Sequence, residues 1–228
     1  MNSSIIRYIL GNVMRMEACF LLLPCIVSLV YGEGVGLYYL GTRHLVCLAI
    51  GVVMAWKKPK NYVFYLKEGC IATSLSWIVM SLVGCMPFWI SGEIPSFTDA
   101  MFETVSGFTT TGASILTNVE ALSHTALFWR SFTHWIGGMG VLVFLLAIIP
   151  LSGGSNINLM RAESPGPSVG KLVPKMKYTA RILYIIYFGM TILEFILPYY
   201  RSKCLCLTAF VQPFGTAGTG GFGVKTTA

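Results

Sequence analysis

Long apolar runs separated by short polar stretches constrain this chain more than any other feature of its sequence. The runs cover about Val13–Tyr31, Leu37–Trp56, Gly69–Ile90, Leu127–Leu151 and Thr179–Tyr199. An α-helix of about 20 apolar residues is long enough to cross the hydrocarbon core of a bilayer. The sequence therefore predicts an all-α membrane protein with five transmembrane helices.

Composition supports a membrane location over a soluble domain. The chain is 55% hydrophobic and only 11% charged, whereas a soluble domain carries about 25% charged residues. Its mean hydropathy of +0.70 agrees. The net charge of +7 does not indicate nucleic-acid binding, because the basic residues cluster beside the apolar runs. We therefore expect membrane lipid, and no nucleic acid, as a partner.

The sequence gives little sign of intramembrane hydrolysis or of sulfur-based metal binding. No HExxH motif occurs, and the GxSxG match at 166–170 lies in the basic polar segment 152–177 and not in an apolar run, so an intramembrane enzyme is the weaker interpretation. Most of the seven cysteines lie within apolar runs, and the close pair Cys204 and Cys206 lacks the usual zinc or redox spacing. We expect no enzymatic activity, no disulfide framework and no cofactor.

Basic residues predict the orientation of the chain. They lie at 57–60, within the polar segment 152–177, and at Arg7 and Arg15 around the start of the first run. If all five runs span the membrane, these three regions share one side. The positive-inside rule places that side in the cytoplasm. The N-terminus and the segment 152–177 are therefore predicted to be cytoplasmic.

Two shorter segments are too polar to span and fit re-entrant loops that open to the outside. In the first segment, Phe97–Phe108 is predicted to form a short amphipathic helix, and a Thr-rich turn with Gly112 follows it. The second segment repeats this order, with a short segment at Cys204–Phe214 and a Gly/Thr-rich run at Gly215–Gly223. Irregular backbone at membrane depth is tolerated where it lines a cavity, and such repeats place an ion site at their interface.

Threonine and glycine in these turns suit a pathway for a dehydrated cation. A potassium ion that enters a narrow pore must exchange its water for other oxygen ligands, and inward-facing backbone carbonyls supply them. Glycine tolerates the dihedral angles that this arrangement demands, and threonine adds a hydroxyl oxygen. The C-terminal end of each short helix adds a negative partial charge. The sequence therefore predicts two halves of a cation filter.

At these residues the chain resembles the Trk/Ktr/HKT superfamily of potassium transporters, closest to its bacterial TrkH type. The stretches that carry the resemblance are DAMFETVSGFTTTGAS at 99–114, WRSFTHWIGGMG at 129–140, RAESPGP at 161–167 and TGGF at 219–222. They are long, they follow the order of the family, and the resemblance covers nearly the whole chain.

The resemblance implies four helix–pore-loop–helix repeats around one pore, preceded by two extra helices. Residues 1–60 then hold the two N-terminal transmembrane helices, and 69–151 the first complete repeat. Residues 152–177 form a cytoplasmic loop, and 178–228 the second repeat up to its filter turn. We expect the chain to hold two of the four repeats, with two re-entrant pore helices and their filter turns.

The resemblance also implies the site and its partners. The residues matched to the filter turns are Thr110, Thr111, Gly112, Thr219, Gly220 and Gly221. The carbonyls of Thr111, Gly112, Gly220 and Gly221 are expected to bind potassium, which is the substrate. The implied assembly is a homodimer of the full-length protein in the bacterial inner membrane, with a cytoplasmic nucleotide-binding regulatory subunit of the TrkA/KtrA type.

Several alternatives remain open from the sequence. The chain supplies two turns where four would surround an ion, so a non-conducting fragment is one alternative. A sodium or non-selective cation permease is another. Transport is either channel-like or coupled to another ion. Alignment of Thr-Thr-Gly-Ala with Thr-Gly-Gly-Phe favours Gly221 over Gly220 as the central residue of the second turn.

Five ionisable residues near these turns admit two interpretations each. Asp99 and Glu103 either attract cations or tie down the first turn, and structural support is favoured. His124 and His134 suggest a proton relay, but an interfacial or packing role is preferred. Glu194 lies within the fifth apolar run, where an acid is a functional candidate unless interfacial water solvates it.

Glycines and tryptophans of the fourth run suggest how it packs. Gly137, Gly138 and Gly140 favour close helix approach over a gating bend. Trp129 and Trp135 lie near the start of the run and are predicted to anchor it in an interfacial belt.

Overall fold

The computed structural model describes residues 2–59, 66–140, 176–202 and 207–223. Within these ranges all regular structure is helical, which confirms the predicted all-α class for this part of the chain. The helices are α1 Ser3–Phe20, α2 Leu22–Tyr31, α3 Gly34–Ala55, α4 Leu66–Gly84, α5 Met86–Ile90, α6 Phe97–Phe108, α7 His124–Met139, α8 Met176–Ser202 and α9 Leu207–Ala217. A 3₁₀ turn at Val119–Ala121 precedes α7.

Proline interrupts the first and third apolar runs. The first helix begins at Ser3, well before the predicted Val13, and α1 gives way to α2 at Leu21. Pro24 has no backbone N–H to donate to the carbonyl four residues earlier, which accounts for the break. In the third run Pro87 lies at the start of α5 and separates it from α4 in the same way.

Two helical stretches in the described ranges are long and apolar enough to cross a membrane, Ser3–Tyr31 and Lys67–Ile90. A shorter apolar stretch, His44–Ala55, lies in α3. Several helices also expose large apolar side chains, among them Val30 at 74% and Ile185 at 71% exposure. Surface of this kind is unfavourable in water and favourable against lipid or further protein.

Two glycines bring α1 and α3 together. A Cβ atom built on Gly11 would lie 2.7 Å from the backbone nitrogen of Ala55, and one built on Gly51 would lie 2.9 Å from that of Arg15. Side chains at these positions would force the helices apart, so the pair uses the small-residue packing typical of membrane helices. The resulting N-terminal helix pair packs on α4 and, through α2, on α7.

The two tryptophans of α7 are buried, so their predicted place in an interfacial belt is wrong. Trp129 and Trp135 are only 1% and 6% exposed. Their indole N–H groups donate to the Gly84 carbonyl at 2.9 Å and to the Thr191 hydroxyl at 3.1 Å. Because the protein itself satisfies both polar groups, neither ring needs the headgroup region.

Parts of two predictions lie outside the described residues. Helix α7 covers His124–Met139, and the predicted continuation of the fourth run to Leu151 falls in the undescribed range 141–175, together with the matched motif at 161–167. The cysteine pair Cys204 and Cys206 also lies outside. The fifth run is helical over Met176–Ser202, three residues longer at each end than predicted.

Candidate functional site

The first Thr/Gly turn follows α6, whose observed bounds agree with the predicted helix. The Ser96 hydroxyl caps its start by accepting a bond from the Asp99 N–H at 3.4 Å. After the helix, the Thr110 N–H donates to the Gly107 carbonyl and the Thr111 N–H to the Ser106 carbonyl, both at 3.0 Å. Thr110 has a φ of 55°, a left-handed value that is rare for threonine. Local hydrogen bonds thus hold an unusual backbone turn.

The second turn repeats this geometry at the end of α9. The Thr219 N–H donates to the Thr216 carbonyl and the Gly220 N–H to the Gly215 carbonyl, both at 2.9 Å. Thr219 has a φ of 53° and follows Thr110 by 109 residues. The two turns therefore share one backbone geometry. It pairs Thr110 with Thr219, Thr111 with Gly220, and Gly112 with Gly221.

The third position differs between the two turns. Gly112 has a φ of 76°, whereas Gly221 does not have a left-handed φ. A Cβ atom built on Gly221 would meet only ordinary contacts, the nearest at 3.4 Å. Glycine at 112 is thus required by the backbone conformation, and glycine at 221 is not.

The two turns touch each other directly. A Cβ atom on Gly112 would lie 2.6 Å from the amide nitrogen of Gly221 and 2.7 Å from its Cα atom. Thr111, Thr219 and Gly221 are exposed, so the turns lie at the surface of the described part of the chain. Two turns that are 109 residues apart in the sequence are therefore in backbone contact at Gly112 and Gly221.

Glycines of α7 pack against the ends of α6 and α9, next to both turns. A Cβ atom on Gly137 would overlap the carbonyl oxygen of Phe108, at the end of α6. One on Gly138 would lie 2.7 Å from the Cα atom of Gly218, at the end of α9. Gly140 has a φ of 68° and ends α7. The first two glycines let α7 approach both short helices, which agrees with the packing interpretation.

His134 on α7 packs behind the second turn. Its ring is completely buried, so the interfacial role considered for it is wrong and the packing role holds. The Gly221 N–H points at its Nε2 atom at 3.4 Å, and its ring centroid lies 4.0 Å from that of Phe222. A Cβ atom on Gly220 would overlap this ring. Position 220 therefore requires glycine because the His134 ring leaves no room for a side chain.

Glu103 and Arg130 form a buried ion pair beside the turns. The Arg130 Nε atom donates to Glu103 Oε1 at 2.6 Å, and both side chains are at most 3% exposed. Glu103 also accepts from the Ser114 hydroxyl at 2.9 Å and the Ile115 N–H at 3.1 Å. Glu103 thus ties down the first turn, as favoured from the sequence, whereas Asp99 lies half-buried in the first turn of α6.

Sequence reasoning missed Arg130, although a signal was present. It lies inside an apolar run, where a charged side chain is expensive and normally has a partner. Its partner, Glu103, lies 27 residues away on another helix. Periodicity within one helix does not reveal a pair of this kind.

Glu33, also unrecognised in the sequence, caps the start of α7. Its carboxylate accepts the His124 N–H at 2.9 Å and the Thr125 N–H at 3.1 Å, and it accepts the Thr125 hydroxyl. Partial burial alone would raise the pKa of Glu33, but the bonds from Thr125 and His124 together lower it. The His124 ring stacks on Tyr31 at 4.2 Å, so this residue serves in docking α2 on α7.

Two other acids have buried oxygens without a hydrogen-bond partner among the described residues. Glu17 on α1 is completely buried, and neither carboxylate oxygen is bonded. Glu194 on α8 is half-buried, with one such oxygen. In the same ranges no group of three or more His, Cys, Asp or Glu side chains is placed to hold a metal ion.

Comparison with known proteins identifies the family to which this chain is similar. The family model of TrkH, described as "Cation transport protein", matches residues 41–203. The Trk system potassium uptake protein TrkH of Salmonella typhimurium is 36% identical over 95% of this chain and 45% of its own length. The Vibrio parahaemolyticus protein of that name is 35% identical over 96% of this chain and 45% of its own length.

A solved structure agrees with the sequence comparison. The crystal structure of the potassium transporter TrkH from Vibrio parahaemolyticus superposes with a TM-score of 0.79 at 29% identity. The match covers 98% of this chain and 45% of that one. The chain thus spans about half the length of the relatives it matches.

Proposed function

Because the chain belongs to the TrkH family of cation transport proteins, we propose that it forms part of a potassium uptake pore. The observation that carries the proposal is the repeated turn, with its left-handed Thr110 and Thr219 and its matching hydrogen bonds. The family consists of cation transporters and is not an enzyme class, so we assign transport and no catalysis.

The proposed filter residues are Thr110, Thr111 and Gly112 in the first turn and Thr219, Gly220 and Gly221 in the second. We propose that the carbonyls of Thr111, Gly112, Gly220 and Gly221 bind potassium as the transported substrate, without an organic cofactor. Two features support this assignment. Residues of both turns are exposed at the surface of the described part of the chain, and α6 and α9 each end at a turn, where their C-terminal dipoles favour a cation.

The proposed architecture has five membrane crossings and two re-entrant pore helices, α6 and α9. Residues 1–60 form the N-terminal helices, 69–151 the first pore unit, 152–177 a cytoplasmic loop and 178–228 the second unit up to its turn. These are two of four such units in the complete pore. The agreement of α4 with α8 and of α6 with α9, each pair about 109 residues apart, supports this division.

The proposed setting is the bacterial inner membrane, with the N-terminus in the cytoplasm. Relatives named as components of a Trk potassium uptake system support a membrane context and a potassium substrate. A homodimer of the full-length protein and a nucleotide-binding regulatory subunit of the TrkA/KtrA type belong to the same proposal.

Complementation tests the proposed function. The gene product at its full encoded length is expressed in a bacterial strain that lacks potassium uptake systems, and growth at low potassium and rubidium uptake are measured. We expect growth to be restored and rubidium uptake to be inhibited far more by potassium than by sodium. Equal inhibition by the two ions would indicate a non-selective permease, preferred inhibition by sodium a sodium permease, and no uptake a non-conducting protein.

A further inference from the structure

One buried arginine on α7 connects α6, which precedes the first turn, to the segment that follows the second turn. The Arg130 guanidinium donates through Nε to Glu103 and through a terminal nitrogen to the Gly223 carbonyl at 2.9 Å. Its central carbon lies 3.6 Å from the centre of the Phe222 ring. Gly223 and Phe222 directly follow the second turn, so the arginine holds that segment by a hydrogen bond and by stacking.

The same arginine reaches the first turn through its acidic partner. Glu103 accepts from the Ser114 hydroxyl and the Ile115 N–H, which lie two and three residues after Gly112 of the first turn. A continuous chain of bonds therefore runs from Ser114 through Glu103 and Arg130 to Gly223. We call this chain of four residues the strap.

The second unit has a neutral residue at the place that Glu103 occupies in the first. Gln212 occupies the place of Glu103 in the repeat, because it follows Glu103 by 109 residues, the interval between Thr110 and Thr219. It is neutral, and it is exposed in the described surface. The segment after the second turn is instead held by Arg130, which belongs to the first unit.

The chemistry of the strap favours a role in geometry over a role in stability. Burying an ion pair removes two charges from water, and the attraction between them often does no more than offset that penalty. A guanidinium, however, presents its donors in a rigid planar fork, so it fixes two acceptors at a set distance. A lysine ammonium carries the same charge without the fork.

We propose that Arg130 is a positioning residue that sets the distance between the two turns and thereby the spacing of the carbonyls from different units. This inference rests on the proposed function, because spacing matters here only if the carbonyls bind an ion. Arg130 does not belong to the turns and acts on them through Glu103 and Gly223. We therefore expect its substitution to change discrimination between potassium and sodium.

The test compares variants of the full-length protein in rubidium uptake with competing potassium or sodium. Arg130→Gln removes both contacts and is expected to lower the potassium-to-sodium discrimination ratio about tenfold, which is about 1.4 kcal/mol. Arg130→Lys keeps the charge for Glu103 and is expected to lower the ratio less. Glu103→Gln releases the first turn and is expected to lower it as well. Arg181→Gln, at an exposed arginine of α8, is the matched control and leaves the ratio unchanged.

A second readout separates positioning from general stability. The melting temperature of each purified protein is measured in potassium and in sodium. Loss of stability alone lowers both values together, whereas loss of the strap is expected to abolish the extra stabilisation by potassium. If Arg130→Gln does not fold, Arg130→Lys and Glu103→Gln decide.

The two proposals fail in different ways. Wild-type protein that transports no potassium overturns the proposed function. Wild-type protein that selects potassium, together with Arg130→Lys and Glu103→Gln variants that keep both its discrimination ratio and its potassium-specific melting shift, overturns the strap.

Discussion

Gly112 and Gly221, one from each turn, lie in direct backbone contact: a Cβ atom on Gly112 would lie 2.6 Å from the amide nitrogen of Gly221. Because a Cβ atom does not fit there, the two turns can approach this closely only with glycine at position 112. Any change that enlarges position 112 therefore moves both turns, and not only its own.

The substitution Gly112→Ser is expected to erode discrimination between potassium and sodium. Serine adds a Cβ atom at a left-handed φ of 76° and against the backbone of Gly221, so the turns must separate. The measurement is rubidium uptake by the full-length protein with either ion as competitor. Gly92→Ser is the control, since Gly92 has a φ of 79° but open space around it. Unchanged selectivity in Gly112→Ser would contradict the filter assignment.

The two glycines of the second turn are expected to respond differently to alanine. At Gly220 a methyl group would overlap the buried ring of His134, whereas at Gly221 the nearest atom would be 3.4 Å away. Gly220→Ala should therefore reduce potassium uptake more strongly than Gly221→Ala at equal protein levels. Equal loss in the two variants would show that the carbonyl chemistry of the turn, and not the space beside His134, limits position 220.

Helix packing predicts a contrast between Gly137→Ala and Gly189→Ala. A methyl group on Gly137 would overlap the Phe108 carbonyl and should destabilise the protein by about 1–3 kcal/mol. Gly189 has no atom within 4 Å, so alanine there should be neutral or stabilising by up to about 1 kcal/mol through helix propensity. Melting temperatures of the purified variants in detergent provide the comparison. A Gly137→Ala variant as stable as wild type would contradict the close approach of α7 to α6.

Acidification is expected to loosen the contact between α2 and α7 through Glu33. The hydrogen bonds from Thr125 and His124 lower the folded-state pKa of this carboxyl. Its contribution is therefore complete above the unfolded pKa of about 4.3 and is lost as the pH falls from there through the lower folded value. Glu33→Gln should lower stability by about 1 kcal/mol at neutral pH, as loss of a helix cap does.

Melting temperature as a function of pH tests this prediction. The difference between wild type and Glu33→Gln should be full at neutral pH and should shrink in strong acid. The control is Glu120→Gln, at an exposed acid near the start of α7, which should change little at any pH. A difference that stays constant down to strong acid would rule out the ionised cap.

The sequence predicted local elements well and contacts between distant residues poorly. Phe97–Phe108 could be placed because an amphipathic pattern and a Thr/Gly turn lie within one short segment. The burial of Trp129 could not, because position within an apolar run does not reveal that the Gly84 carbonyl lies opposite its indole N–H. Complete burial of Glu17 on α1 was missed for the same reason.

The site shows the same division between local and distant information. The two turns were predicted from their Thr/Gly composition. In the structure Thr110 and Thr219 occupy matching positions in them and have nearly the same left-handed φ. The strap could not be predicted from the sequence, because Glu103, Arg130 and Gly223 belong to three separate segments. Three-dimensional proximity is what joins them.

The cap that Glu33 forms on α7 has a consequence for the order of biogenesis. Glu33 precedes His124, whose N–H donates to its carboxylate, by 91 residues, and ribosomes make the N-terminal residue first. The carboxylate that follows α2 is therefore synthesised before α7. The capping carboxylate is thus made before α7, the helix that packs against both turns, whose N-terminus it binds.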